Sequence, residues 1–150
     1  INLENADSNP KFREMVLTMQ CVVFYEGWQI ECCGTAFSIG DAIKWPVGKG
    51  TQLNTPVKVA TIDYCYEAHD SNWQKLFVLE GVVENIKILY QRYAAASEDS
   101  RLMAPVCGEI VEVNSAKGFE KFNGMEAVGY IVTLKEYIVR PAGKEDIAYQ

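Results

Sequence analysis

The segment 76–93, LFVLEGVVENIKILYQRY, constrains the fold most, because it is the longest apolar-periodic run in the chain. Val78, Val82, Val83 and Ile86 would suit one face of a helix. The Val and Ile content, Gly81 and the alternation Ile86, Ile88, Tyr90 favour extended backbone instead, since β-branched side chains are stiff at χ1 and pack well on a pleated surface. The run predicts two consecutive strands or one bent strand, with Gly81 at a bulge. No helical pattern elsewhere is long enough to supply the crossovers of a parallel α/β sheet.

The other segments agree. Residues 15–28, MVLTMQCVVFYEGW, predict a strand with Leu17, Met19, Cys21, Val23 and Tyr25 on one face. Residues 28–45, WQIECCGTAFSIGDAIKW, read as a strand near 29–33 and a second near 42–45, with turns at Gly34-Thr35 and Gly40-Asp41. Pro46, which lacks a ladder N–H, ends the second strand. Residues 47–56 read as a loop whose Gly-Lys-Gly-Thr lacks the spacing of a phosphate-binding loop. Residues 57–69 begin as a strand on Val57, Val59 and Thr61 and end ambiguously. Strands follow at 102–113 and 129–141, joined by a loop in which Asn123-Gly124 marks a turn. The sum is a mostly β fold, a small antiparallel barrel or sandwich of about six to eight strands with little helix. Residues 1–14 read as a flexible lead-in, with Met15 or Met19 as a native start, and 15–150 as a single β domain.

Composition excludes several function classes. A net charge of −6 lacks the clustered cations that nucleic acid or an anionic membrane surface requires. No apolar run reaches the roughly 18 residues of a membrane span, and no secretory signal is visible. Five cysteines are an odd number in a chain too long for a dense disulfide scaffold, so reduced thiols in a cytoplasmic protein are expected.

The stretch WQIECCGTAFSIGDAIKW, followed by YEAH at 66–69 and EGVVENI at 80–86, resembles an uncharacterised bacterial family of domains of unknown function. Its signature is Trp-Gln-x-x-Cys-Cys-Gly-x-x-Phe-x-x-Gly-Asp, ending in a tryptophan. The resemblance spans roughly residues 19–90 and implies a fold and a kinship, with no activity to carry over. Members often place two adjacent histidines where this chain has His69-Asp70.

Four residues form the sharpest candidate for chemistry. Cys32, Cys33, Cys65 and His69 offer thiolate and imidazole ligands suited to zinc, with Cys65 and His69 at a workable local spacing. Adjacent cysteines on a strand point to opposite faces, which opposes joint ligation. The plainer account packs them as small buried hydrophobes; a redox-active thiol and a Cys32–Cys33 bond are the further options. His69 is the only histidine, so a nucleophilic pair would join it to Cys33 or Cys65. The acids Glu31, Asp41, Glu67 and Asp70 read as solvated or, at Asp41, as capping a turn.

The aromatics Tyr25, Trp28, Phe37, Trp45, Tyr64, Tyr66 and Trp73 would line a pocket or, more simply, a core. The leading expectation is a non-enzymatic binding module that takes a small molecule or protein partner through Trp28, Phe37, Asp41 and Trp45. The rival is a zinc-binding or Cys/His-dependent enzyme centred on Cys32, Cys33, Cys65 and His69.

Overall fold

The computed structural model describes residues 19–98 and 101–146. The predicted lead-in and the first residues of the first predicted strand lie outside them. Nine strands occur among the described residues: β1 Gln20–Glu26, β2 Phe37–Ser38, β3 Ala42–Lys49, β4 Tyr64–Tyr66, β5 Phe77–Ala95, β6 Met103–Val113, β7 Ser115–Ala116, β8 Lys121–Phe122 and β9 Met125–Pro141. One short helix, α1 Gly27–Cys32, follows β1, and 3-10 turns occupy Trp73–Lys75 and Lys144–Asp146. The main sheet runs β6-β5-β3-β4-β1-β9-β8, and β5 also pairs with β9. Strands β5, β3, β4, β1 and β9 thus form a closed ring. The mostly β, barrel-like expectation holds, although β1 and β4 pair in parallel.

Alternation explains the interior. Cys21, Val23 and Tyr25 of β1, Trp45 and Val47 of β3, and Tyr130, Val132 and Leu134 of β9 point into one core. On β5 the inward residues are Leu79 and Val83, then Ile86, Ile88 and Tyr90. The parity changes because the register with β9 shifts between Val83 and Asn85, leaving Glu84 as an extra residue. Phe24, Leu89 and Ile131 face the other way and are covered by Leu53, Val57, Val59 and Ile62.

The predicted irregularity at Gly81 is present, with the extra residue on the partner. Glu80 opposes Ile138 and Val82 opposes Lys135, so Glu136 and Tyr137 lie across from Gly81 alone. Glu136 takes a positive φ of 51° there. At the β8–β9 hairpin, Asn123 and Gly124 have φ of 50° and 71°. Positive φ at both central residues is what a tight primed turn demands.

Three local expectations are corrected. Residues 29–33 are helix and its end, not strand, because Gln29 turns inward to bond Tyr66 and Ala68. Strand β3 passes through Pro46 to Lys49, paired with β5 throughout most of its length. The Pro46 carbonyl accepts from the Glu67 N–H on the β4 side, so the absent Pro46 donor also faces that side, just beyond the last β3–β4 pair at Val47 and Tyr66. Residues 57–63 form no strand; Val57, Val59 and Ile62 use their apolar side chains to cover the sheet.

Candidate functional site

The site begins with Gln29. Its amide is 1% exposed and is held from two sides: Nε2 donates to the Tyr66 carbonyl at 3.1 Å, and Oε1 accepts from the Ala68 N–H at 3.3 Å. The same Oε1 lies 3.2 Å from His69 Nδ1. An amide oxygen can only accept, so Nδ1 carries the proton, and when the ring is neutral Nε2 presents its lone pair. The Glu67 carboxylate accepts from the His69 backbone N–H at 2.7 Å, which fixes the turn that carries the ring. Trp28 packs on the imidazole with ring centres 4.8 Å apart, and its Nε1 donates to Glu26 at 3.0 Å.

That lone pair faces sulfur. His69 Nε2 lies 3.1 Å from Cys33 Sγ and 3.6 Å from Cys32 Sγ. The two sulfurs are joined as a disulfide between neighbouring residues, and both cysteines are exposed. The objection that adjacent cysteines point apart is removed by the backbone. Cys32 ends α1 and Cys33 caps it, with the Cys33 and Gly34 N–H groups both donating to the Gln29 carbonyl. The expectation of five reduced thiols is corrected at this pair, while Cys21, Cys65 and Cys107 are free. Cys21 packs as a small hydrophobe, and burial, then the nearby Asp63, pushes its thiol up to about 12.

Cys65 does not join the group. It sits between Tyr64 and Tyr66 in β4, whose rings face the main core, so the pleat turns its sulfur to the second cluster. There it meets Thr51 Oγ1 at 3.8 Å. Among the described residues, the group of potential ligand atoms within 4.8 Å of one another is that of Cys32, Cys33 and His69.

The four expected binding residues divide. Phe37 and Trp45 are buried, packed edge to face at 5.0 Å, with Tyr25 and Tyr66 stacked beside them at 3.8 Å. Asp41 accepts from the Ser38 N–H at 2.8 Å and so caps its turn. These residues line an open cleft of about 450 Å³ together with Cys33 and Lys44. Trp28 stands outside it, 48% exposed. Sequence reading missed Gln29, since a glutamine beside a tryptophan carries no signal of burial. It also missed Glu120, which accepts from the buried Tyr130 hydroxyl; burial and that bond raise the phenol well above its ordinary value.

Among the described residues, no helix is long and apolar enough to cross a membrane. Comparison with protein families shows that the model of a family of unknown function, DUF6578, fits residues 19–136. Neither the curated proteins nor the solved structures contain a match. The chain belongs to this family of unknown function.

Proposed function

We propose that this member of the DUF6578 family is a small β module that binds a small molecule in the cleft beside Cys33 and exchanges thiol for disulfide there. The observation that carries the reading is His69 Nε2, held lone pair outward by Gln29 and 3.1 Å from Cys33 Sγ. A base at that distance is within reach of a thiol proton, and the thiolate is the form of cysteine that attacks. Both cysteines are exposed, so a substrate sulfur can approach.

In the dithiol form, Cys33 passes its proton to His69 Nε2 and its thiolate attacks one sulfur of a substrate disulfide. The substrate S–S bond breaks, a Cys33 mixed disulfide forms, and the departing thiolate takes the proton back from His69. Cys32 then attacks the Cys33 sulfur, and the second substrate thiolate leaves with the Cys32 proton. Two protein thiols are oxidised to one disulfide, and one substrate disulfide is reduced to two thiols. A cytoplasmic location, the one the cysteine content favours, would return the pair to the dithiol through its reducing thiol pool. A partner that is a small molecule is supported by the cleft, whose floor is aromatic and whose rim carries Lys44 and Asp41.

The test uses the reduced chain and an aromatic small-molecule disulfide that releases a coloured thiol, in a Cys65→Ser, Cys107→Ser background. Cys33→Ser should abolish rapid release and His69→Gln should slow it by roughly 10²-fold. Rates should saturate with probe concentration. Unchanged release in Cys33→Ser refutes the reading.

A further inference from the structure

Opening the disulfide changes what this corner can hold. Two thiolates from the end of α1 and one imidazole nitrogen from the turn after β4 then converge, with the Nε2-to-sulfur distances already 3.1 and 3.6 Å. Tetrahedral zinc with metal–sulfur and metal–nitrogen bonds of about 2.3 and 2.0–2.1 Å places those atoms roughly 3.6 Å apart. The histidine is oriented as a ligand, because its Nδ1 faces Gln29 Oε1 while its Nε2 faces both sulfurs. Exposure of Cys32 and Cys33 leaves the remaining coordination position open to solvent or to a further ligand.

We infer that the reduced Cys32, Cys33 and His69 corner binds one thiophilic divalent cation, and that the Cys32–Cys33 disulfide closes this site. The inference rests on the reading that this pair alternates between dithiol and disulfide. A small dithiol opens the site: its two sulfurs become a disulfide, the Cys32–Cys33 bond breaks, and two electrons and two protons pass to the cysteines. Each thiol then gives up its proton as the cation binds, so two thiolates balance the divalent charge and the neutral imidazole adds none. Reoxidation by a small-molecule disulfide removes both thiolates at once and releases the ion. The site is therefore present or absent according to the thiol poise of its surroundings.

Cadmium is the probe, because its thiolate complexes absorb in the ultraviolet. The Cys65→Ser, Cys107→Ser chain is reduced, freed of reductant without air, and titrated with cadmium alone while calorimetry gives the stoichiometry. One equivalent is expected for the reduced chain and none for the disulfide form. Cys32→Ser and Cys33→Ser should each lose the strong thiolate band; Gln29→Leu should weaken binding by roughly 10- to 100-fold. No uptake by the reduced chain, equal uptake by the oxidised chain, or unchanged affinity in His69→Gln overturns the inference. Peptide mapping of the oxidised chain separates the two readings. A mapped Cys32–Cys33 link with active exchange but no cadmium uptake sinks the cation site alone. Absence of that link removes both the exchange reading and the gate.

Discussion

Replacing Gln29 by leucine tests the part of the site that everything else hangs from. The side chain is 1% exposed and has contacts at 3.1 Å to the Tyr66 carbonyl, 3.3 Å to the Ala68 N–H and 3.2 Å to His69 Nδ1. Leucine keeps the volume and removes all three. At roughly 1 kcal/mol for each hydrogen bond, with the half-exposed His69 contact at the low end, the expected loss is about 2–3 kcal/mol. For a chain of this size that corresponds to a fall in Tm of roughly 5–10 °C. The same change frees His69 to adopt the other tautomer, in which Nε2 bears the proton and no longer offers a lone pair to Cys33. Denaturant unfolding of the disulfide form measures the first effect, and the coloured-thiol exchange rate of the reduced form measures the second. Gln29→Leu should lower both. Undiminished stability together with undiminished exchange would refute the claim that Gln29 holds the imidazole.

Two further outcomes follow from packing and burial. Gly129→Ala would set a methyl group 2.6 Å from the Phe24 ring and 2.8 Å from the Tyr25 carbonyl oxygen, so it should cost about 1–3 kcal/mol or more in urea unfolding. Gly48→Ala, whose nearest new neighbour is Leu76 at 4.0 Å, should be close to neutral; equal effects would show that Gly129 is not tightly enclosed. Burial raises the Cys21 thiol from 9.0 to about 12 and also raises the Tyr25 and Tyr130 phenols, Tyr25 with help from its bond to Tyr66. The unfolded chain therefore loses protons that the folded chain keeps, and stability should fall as pH rises above 9.0. Urea midpoints that stay flat from neutral to strongly alkaline pH would contradict this.

The strands were legible where alternation is unbroken. Cys21, Val23 and Tyr25 announce their shared face in the sequence, and so do Tyr130, Val132 and Leu134. In β5 the helix-like spacing of Val82, Val83 and Ile86 has a definite origin. An extra residue at Glu84 moves the inward side from odd to even positions, and a parity change in a strand imitates a helical period. Residues 57–62 misled for the opposite reason: Val57 and Val59 bury their side chains on the sheet without joining its ladder. At the site, the cysteines and His69 were visible by residue type, and their meeting was not. It depends on a six-residue helix, Gly27–Cys32, too short to show a period, and on a glutamine whose burial only the fold decides. Cys65 was misassigned because spacing to His69 was weighed and the pleat of β4 was not.

The closure of the ring by β1 against β9 has a consequence for biogenesis. Seven consecutive residues, Gln20–Glu26, find their antiparallel partners in Gly129–Lys135, near the far end of the domain. During synthesis the β9-facing edge of β1 must wait until nearly the whole domain has left the ribosome. Such distant pairing makes folding slow and leaves a window for self-association. Chaperone demand and inclusion-body formation should therefore track truncations that delete β9 far more than changes at the cysteine corner.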